Sequence, residues 1–341
     1  MRAASAAGFR YAVLTTRHHD AYFLGDSRFG DWHAGHYVGR DLIAPWVQAC
    51  RDHGLKVGFY FSGPDWYHGR EYQNYAFPEE KKPPYYNWKH EKVDSLPPMP
   101  DALKSQVRTI AHGQVEEGVG VRDMERGRLA EIQPRPWQTD TSISDWFYNQ
   151  RWKTKDTGTM YRSARWVIHF LADGVSKNGN LLLNIVQRPD GALDPEVEQL
   201  LQELARWMKV NGEAIHGTRP WRIFGEGPVQ SDTDAPRSRQ EDFAFSGRDL
   251  RFTQSKDGGT VHAIALGRPA GRELSIRALG RTAGLPASTI ERVEILGHPQ
   301  PVAFNRADEA LHVGLPDLLG DPPAVVFKIT GHHLAAGART P

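Results

Sequence analysis

An apolar run, Tyr11-Ala12-Val13-Leu14, leads through Thr15-Thr16-Arg17 into His18-His19-Asp20, and forty residues later Val57-Gly58-Phe59-Tyr60-Phe61-Ser62 repeats the plan. A buried strand explains each apolar run, but packing gives no reason for two histidines and a carboxylate at its end. Between the runs, Leu42 to His53 reads as a helix, with Asp41 as N-cap and Gly54 as stop. Ile43, Trp46, Val47 and Cys50 recur at helical spacing, and Pro45 lies in the first turn, where its missing N–H costs least. Strand, helix, strand with polar groups at both strand ends predicts parallel strands, a right-handed crossover and an active face at their C-terminal ends.

Residues 67–136 break this rhythm. Pro, Lys, Tyr and Glu crowd Pro78 to Pro100, and Asp101 to His112 reads as one helix. Glycines at 113, 118, 120 and 127 disfavour long regular structure, and no buried strand stands out. Order returns with a helix over Tyr161–Leu171 and a buried strand over Asn180–Ile185. A helix then opens at Asp194-Pro195, with Glu196 and Glu198 in its first turn. Val197, Leu200, Leu201, Leu204, Trp207 and Met208 form its apolar stripe. Gly225 to Arg239 reads as a linker. The short segments Val261–Leu266, Glu273–Leu279, Arg292–Leu296, Leu311–Leu315 and Ala324–Thr330 read as an antiparallel sandwich. The expected fold class is therefore α/β, an incomplete (β/α) TIM-like barrel over residues 1–224, followed by an all-β sandwich over 240–331.

Composition excludes several partners. Forty-two basic side chains against 41 acidic ones give a net charge of +1, which leaves no electrostatic footprint for nucleic acid. The apolar stretches are too short to span a bilayer, and no signal peptide is visible. The single cysteine, Cys50, excludes an internal disulfide. Ten tryptophans and eleven tyrosines are many; most aromatics are core, and some on exposed loops stack on sugar rings. His-His-Asp lacks the helical i, i+4 spacing of many zinc sites, so neither a metal nor another cofactor is expected.

The segment Tyr11 to Asp20 closely resembles the α-L-fucosidase family of retaining glycoside hydrolases. Three later segments resemble it in the same order: Gly39-Arg40-Asp41-Leu42 through Gly54–Ser62, Ser176–Ile185 with Pro189-Asp190-Gly191, and Val210–Trp221. The resemblance implies a barrel followed by a sandwich, a fucosylated oligosaccharide or glycoconjugate as substrate, and a secreted, periplasmic or lysosomal setting. It implies that His18 and His19 hydrogen-bond fucose hydroxyls, with Tyr60 and Trp32 as further pocket residues. A retaining mechanism needs a nucleophile and an acid/base carboxyl roughly 5 Å apart. Arg122-Asp123-Met124-Glu125-Arg126-Gly127 resembles the loop that carries the acid/base, which makes Glu125 the first candidate and Glu131 the second. Gln138 stands where many relatives have Glu. Two departures oppose the implication of activity. No strand with a His-Trp pair precedes Tyr11, and no Trp-Phe-Asp-Gly strand supplies a nucleophile; Asp94, Asp101 and Asp123 each lack a preceding buried run. The alternative expectation is a non-catalytic carbohydrate binder or an inactive, truncated relative.

Overall fold

The computed structural model describes residues 1–62, 85–86, 92–93, 109–112, 120–229, 244–285, 289–318 and 320–335. The chain divides into two compact units, Met1–Val107 and Arg108–Pro341.

In the first unit, the strands β1 (Tyr11–Arg17) and β2 (Lys56–Phe61) pair in parallel, from Tyr11 opposite Lys56 to Arg17 opposite Phe61. The helix Ile43–Asp52 crosses between them, and the Asp41 carboxylate accepts the Ile43 N–H at 2.8 Å. The expectation of buried strands is corrected here. Tyr11 to Leu14 are half-buried, while Phe59 and Phe61 are 54% and 61% exposed. Among the described residues this sheet has only two strands, so neither one is enclosed between neighbours. The two-residue strands β3 (Tyr85–Tyr86) and β4 (Lys92–Val93) pair separately and antiparallel.

The second unit opens with a four-stranded parallel sheet, β5 (Thr109–His112), β6 (Gly120–Asp123), β7 (Trp137–Ser142) and β8 (Gly179–Asn184), in that spatial order. The helix expected over Asp101–His112 is thereby overturned in its last four residues, and residues 101–108 lie outside the described set. Strand β5 exists because β6 pairs with it across four positions, and that partner is invisible to local periodicity. Entry into β8 is tight: a Cβ on Gly179 would come within 2.7 Å of the Trp137 ring and of the Gly174 carbonyl oxygen.

The helix Ala164–Ser176 is capped by Ser163, whose hydroxyl accepts the Trp166 N–H at 3.1 Å. It leads into β8 and buries Trp166, Val167, Ile168, Phe170 and Ala172. The helix Pro195–Asn211 buries the predicted stripe of Val197, Leu200, Leu201, Leu204 and Trp207. Asp194 precedes it but makes no side-chain cap; its carboxylate accepts the Tyr161 hydroxyl at 2.8 Å and the Tyr148 hydroxyl at 3.2 Å.

The antiparallel part begins at Thr218. Strands β9 (Thr218–Glu226), β10 (Leu250–Ser255), β11 (Thr260–Ala265), β13 (Thr289–Ile295) and β16 (Val325–His332) form one sheet, in the order β13-β16-β11-β10-β9. Strands β12 (Glu273–Ile276), β14 (Phe304–Arg306) and β15 (Leu311–Gly314) form another, ordered β12-β15-β14. Phe252, Val261, Ala263, Ile276, Leu311, Val313, Phe327 and Ile329 join in one buried cluster between them. Each such Val, Ile, Leu or Phe side chain contributes about 1.5–3 kcal/mol on full burial.

His169 joins the helix Ala164–Ser176 to the chain ahead of β16 by donating a ring N–H to the Pro323 carbonyl at 2.8 Å. Burial lowers its pKa to about 4, despite that hydrogen bond. A histidine depressed in the fold contributes stability that is complete above its unfolded value of about 6.5 and is lost as pH falls toward 4. Urea unfolding is therefore expected to lose roughly 3 kcal/mol between pH 7 and pH 4, with a smaller loss in His169→Gln. An equal loss in both proteins would remove His169 as the cause.

Candidate active site

In the first unit, the candidate groups gather at the C-terminal ends of β1 and β2. The pairing register shifts between Thr15 and Arg17, so one residue of β1 is inserted opposite β2. That irregularity, followed by the end of the strand, breaks the alternation that would send adjacent histidines to opposite faces. The His18 and His19 rings lie 4.1 Å apart, and His18 stacks on Tyr60 at 5.7 Å with 15° between planes. The Thr16 hydroxyl donates to the Tyr60 carbonyl at 2.9 Å, and Arg17 Nη1 donates to the Ser62 carbonyl at 2.7 Å. Ser62 is buried, and its hydroxyl sits 2.6 Å from His19 Nδ1, which fixes that ring. Burial, then His18 and Arg17, push the His19 pKa below its ordinary value, against the pull of Asp20. His19 is therefore held toward its neutral form, with one ring N–H for a ligand hydroxyl or for Ser62. The Asp20 carboxylate accepts the Tyr22 N–H at 3.2 Å, so it caps the turn after the histidines. Trp32, also expected in the pocket, packs on Tyr22 and Tyr37 in the loop that follows.

In the second unit, a cluster forms where β6, β7 and β8 end. Glu125, half-buried just past β6, accepts the Trp146 indole N–H at 3.3 Å. Arg126 turns the chain with a φ of 51° and lays its guanidinium over the Trp146 ring at 4.7 Å and the Trp152 ring at 5.6 Å. Asn184, at the end of β8, donates to the Ser142 hydroxyl and to the Trp146 carbonyl, both at 3.0 Å. Strand ends and loop are thus joined around one carboxylate and one indole. Glu131 is exposed, and its backbone carbonyl accepts the Gln133 side-chain N–H at 2.9 Å.

Asp123 follows half-buried Val121 and Arg122, so no buried run leads to it, but a short strand does. It ends β6 and is buried, and its Oδ1 accepts the Gln138 side-chain N–H at 3.1 Å. Gln138 in turn accepts from Asn180 at 3.2 Å. Sequence reasoning missed Ser62, Arg126 and Trp146 as members of these clusters. For Trp146 and Arg126 a signal was present, because each is an aromatic or cation within a few residues of a strand end. Among the described residues, no group of three His, Cys, Asp or Glu side chains is placed to hold a metal ion, and no helix is long and apolar enough to cross a membrane.

The chain is 26% identical to the plasma α-L-fucosidase of Rattus norvegicus over 88% of its own length and 68% of that protein's. It is likewise 26% identical to the plasma α-L-fucosidase of Homo sapiens, over 92% and 70% of the two lengths. Among solved structures, the Thermotoga maritima α-fucosidase in complex with fucose superposes with a TM-score of 0.67 at 22% identity, covering 96% of this chain and 77% of that one. The α-L-fucosidase isoenzyme 1 of Paenibacillus thiaminolyticus gives 0.66 at 21% identity, with coverages of 97% and 85%. Both likenesses establish a shared fold. The family model for α-L-fucosidase matches residues 1–97 and 87–213, which is more than half of the sequence, and the chain belongs to the α-L-fucosidase family.

Proposed function

We propose that this protein is a glycoside hydrolase that removes terminal α-L-fucose from glycans or fucosides with retention of configuration. The observation that carries this reading is the His18–His19 pair, held on one side of a strand end by the inserted residue and by Ser62. Two imidazoles side by side suit the hydroxyls of a small polyhydroxylated ring, and His19 is held toward the neutral state that such bonds use. Tyr60, stacked on His18, supplies an apolar wall beside it. Glu125 is the proposed acid/base, because its carboxyl is oriented by an indole N–H at the C-terminal end of a parallel strand. Glu131, exposed and without that orienting contact, is the weaker candidate.

The finer architecture belongs to the same proposal. We read the parallel strands as a (β/α) barrel with fewer strands than usual, over residues 1–224, and the sandwich domain as 240–331, with Thr218–Glu226 contributed to its sheet. The relatives reported above give the non-catalytic alternative no support, and it rests on the two sequence departures alone.

The wild-type chain is expected to release nitrophenol from nitrophenyl α-L-fucoside, with α-fucose appearing before β-fucose in proton NMR. Release of the β-anomer first would refute retention. No release above a heat-treated control would refute the hydrolase reading.

A further inference from the structure

The loop after β1 carries an aromatic cluster tied to the chain that directly follows the histidine pair. Trp32 meets Tyr22 edge-on at 5.2 Å and 82°, and meets Tyr37 edge-on at 5.2 Å and 85°. Tyr22 and Tyr37 are 6.3 Å apart, and the His36 ring stands edge-on to Tyr37 at 4.9 Å. The cluster is fixed to the backbone of the histidines. Trp32 Nε1–H donates to the Asp20 carbonyl at 2.8 Å, Tyr22 N–H donates to the Asp20 carboxylate, and Ala21 N–H donates to the His18 carbonyl at 2.9 Å. Phe23 N–H to the Trp32 carbonyl and Leu24 N–H to the Thr16 carbonyl close the loop onto the strand.

Three aromatics clustered around two edge-to-face contacts ordinarily form part of a core. Here the outermost of them, Tyr37, is 56% exposed, and His36 beside it is exposed as well. Folding gains little by presenting that ring to water. Binding gains more, because a fixed aromatic offers a large contact area and loses few torsions when a ligand arrives. An enzyme that removes one terminal sugar encloses that sugar alone. A rigid aromatic surface beyond the enclosed sugar meets the next ring of the glycan.

We propose that Trp32, Tyr22 and Tyr37, with Tyr37 as the exposed face, form a platform for the sugar ring to which fucose is attached, with His36 beside it as a hydroxyl partner. The proposal rests on the fucosidase reading and deepens it: the preferred substrates are fucosylated oligosaccharides, not fucosides of small non-cyclic groups.

The test compares α-L-fucosyl fluoride, whose leaving group has no ring, with the best cleaved of a set of α1,2-, α1,3-, α1,4- and α1,6-linked fucosyl disaccharides. Tyr37→Ala is expected to lower kcat/KM on the disaccharide about fivefold to tenfold, as loss of an aromatic contact implies. It should leave the fluoride within about twofold, and Tyr37→Phe should restore the disaccharide rate. Equal losses on both substrates, or no loss on either, would overturn the platform while leaving the hydrolase reading intact. If the wild type cleaves neither substrate, saturation-transfer NMR on the disaccharide decides. Transfer to the second ring that disappears in Tyr37→Ala upholds the platform against a failed hydrolase reading, and its absence in the wild type sinks both.

Discussion

Asp173→Ala is expected to cost about 3–5 kcal/mol of unfolding free energy and to lower Tm by roughly 10 °C. Asp173 is fully buried in the helix Ala164–Ser176, and its carboxylate meets Lys177 Nζ at 2.9 Å and Arg251 Nε at 2.6 Å. Arg128 Nη1 stands 3.8 Å away. Lys177 and Arg251 are themselves buried, over the Phe224 ring at 4.7 and 5.5 Å, and Phe245 covers Arg251 at 4.7 Å. Removing the carboxylate leaves these cations in a site where water cannot replace it, and that desolvation sets the size of the effect. Lys177→Met should cost less, because Asp173 then keeps Arg251. The pH dependence follows from the same contacts. Burial alone would raise the Asp173 pKa, but Arg251, Lys177 and Arg128 outweigh it and hold the carboxyl well below the usual carboxylate range. A group depressed in the fold contributes stability above its unfolded value of about 4, and that contribution is lost as pH falls through the folded value. The gap between wild type and Asp173→Ala, measured by urea unfolding, should thus be full at pH 7 and narrow below pH 4. A gap under about 1 kcal/mol at pH 7 would mean that the cluster is solvated in solution.

This cluster also marks how far the sequence could be read. Asp173, in the last turn of its helix, and Lys177, just past the end, stand four apart, which by itself suggests a surface pair. Arg251 is 78 positions away and becomes their partner only when β10 joins the sandwich. Local signals did predict the crossover helix after β1, the stripe of Val197 to Trp207 and five of the sandwich strands, because those elements carry their own periodicity and stop signals. Strands β5 and β6 were illegible, being held by pairing more than by pattern. The histidine pair was legible as chemistry, yet its geometry was not: the register shift at Thr15–Arg17 and the Ser62 contact depend on a strand forty residues away. Asp194 shows the opposite error. A residue suited by type and position to cap a helix instead receives two tyrosine hydroxyls, brought to it from Tyr148 and Tyr161.

Glu125→Ala should reduce kcat on nitrophenyl α-L-fucoside by about 10²–10⁴, the range for loss of a general acid/base. The carboxyl is half-buried, aimed by the Trp146 indole N–H, and placed where β6 delivers it at the parallel strand ends. A retaining enzyme uses this group twice, as acid toward the leaving oxygen and then as base toward water. Both roles leave marks that a structural role would not. Fluoride departs without a proton, so α-L-fucosyl fluoride should lose less of its rate than the nitrophenyl fucoside. Azide attacks without a base, so adding it should restore turnover of that substrate and yield fucosyl azide. Glu131→Ala, exposed and outside the indole's reach, should stay within about twofold. If Glu125→Ala slows the fluoride and nitrophenyl substrates equally and ignores azide, then Glu125 only positions Trp146. A large loss in Glu131→Ala with azide rescue would transfer the role to that residue.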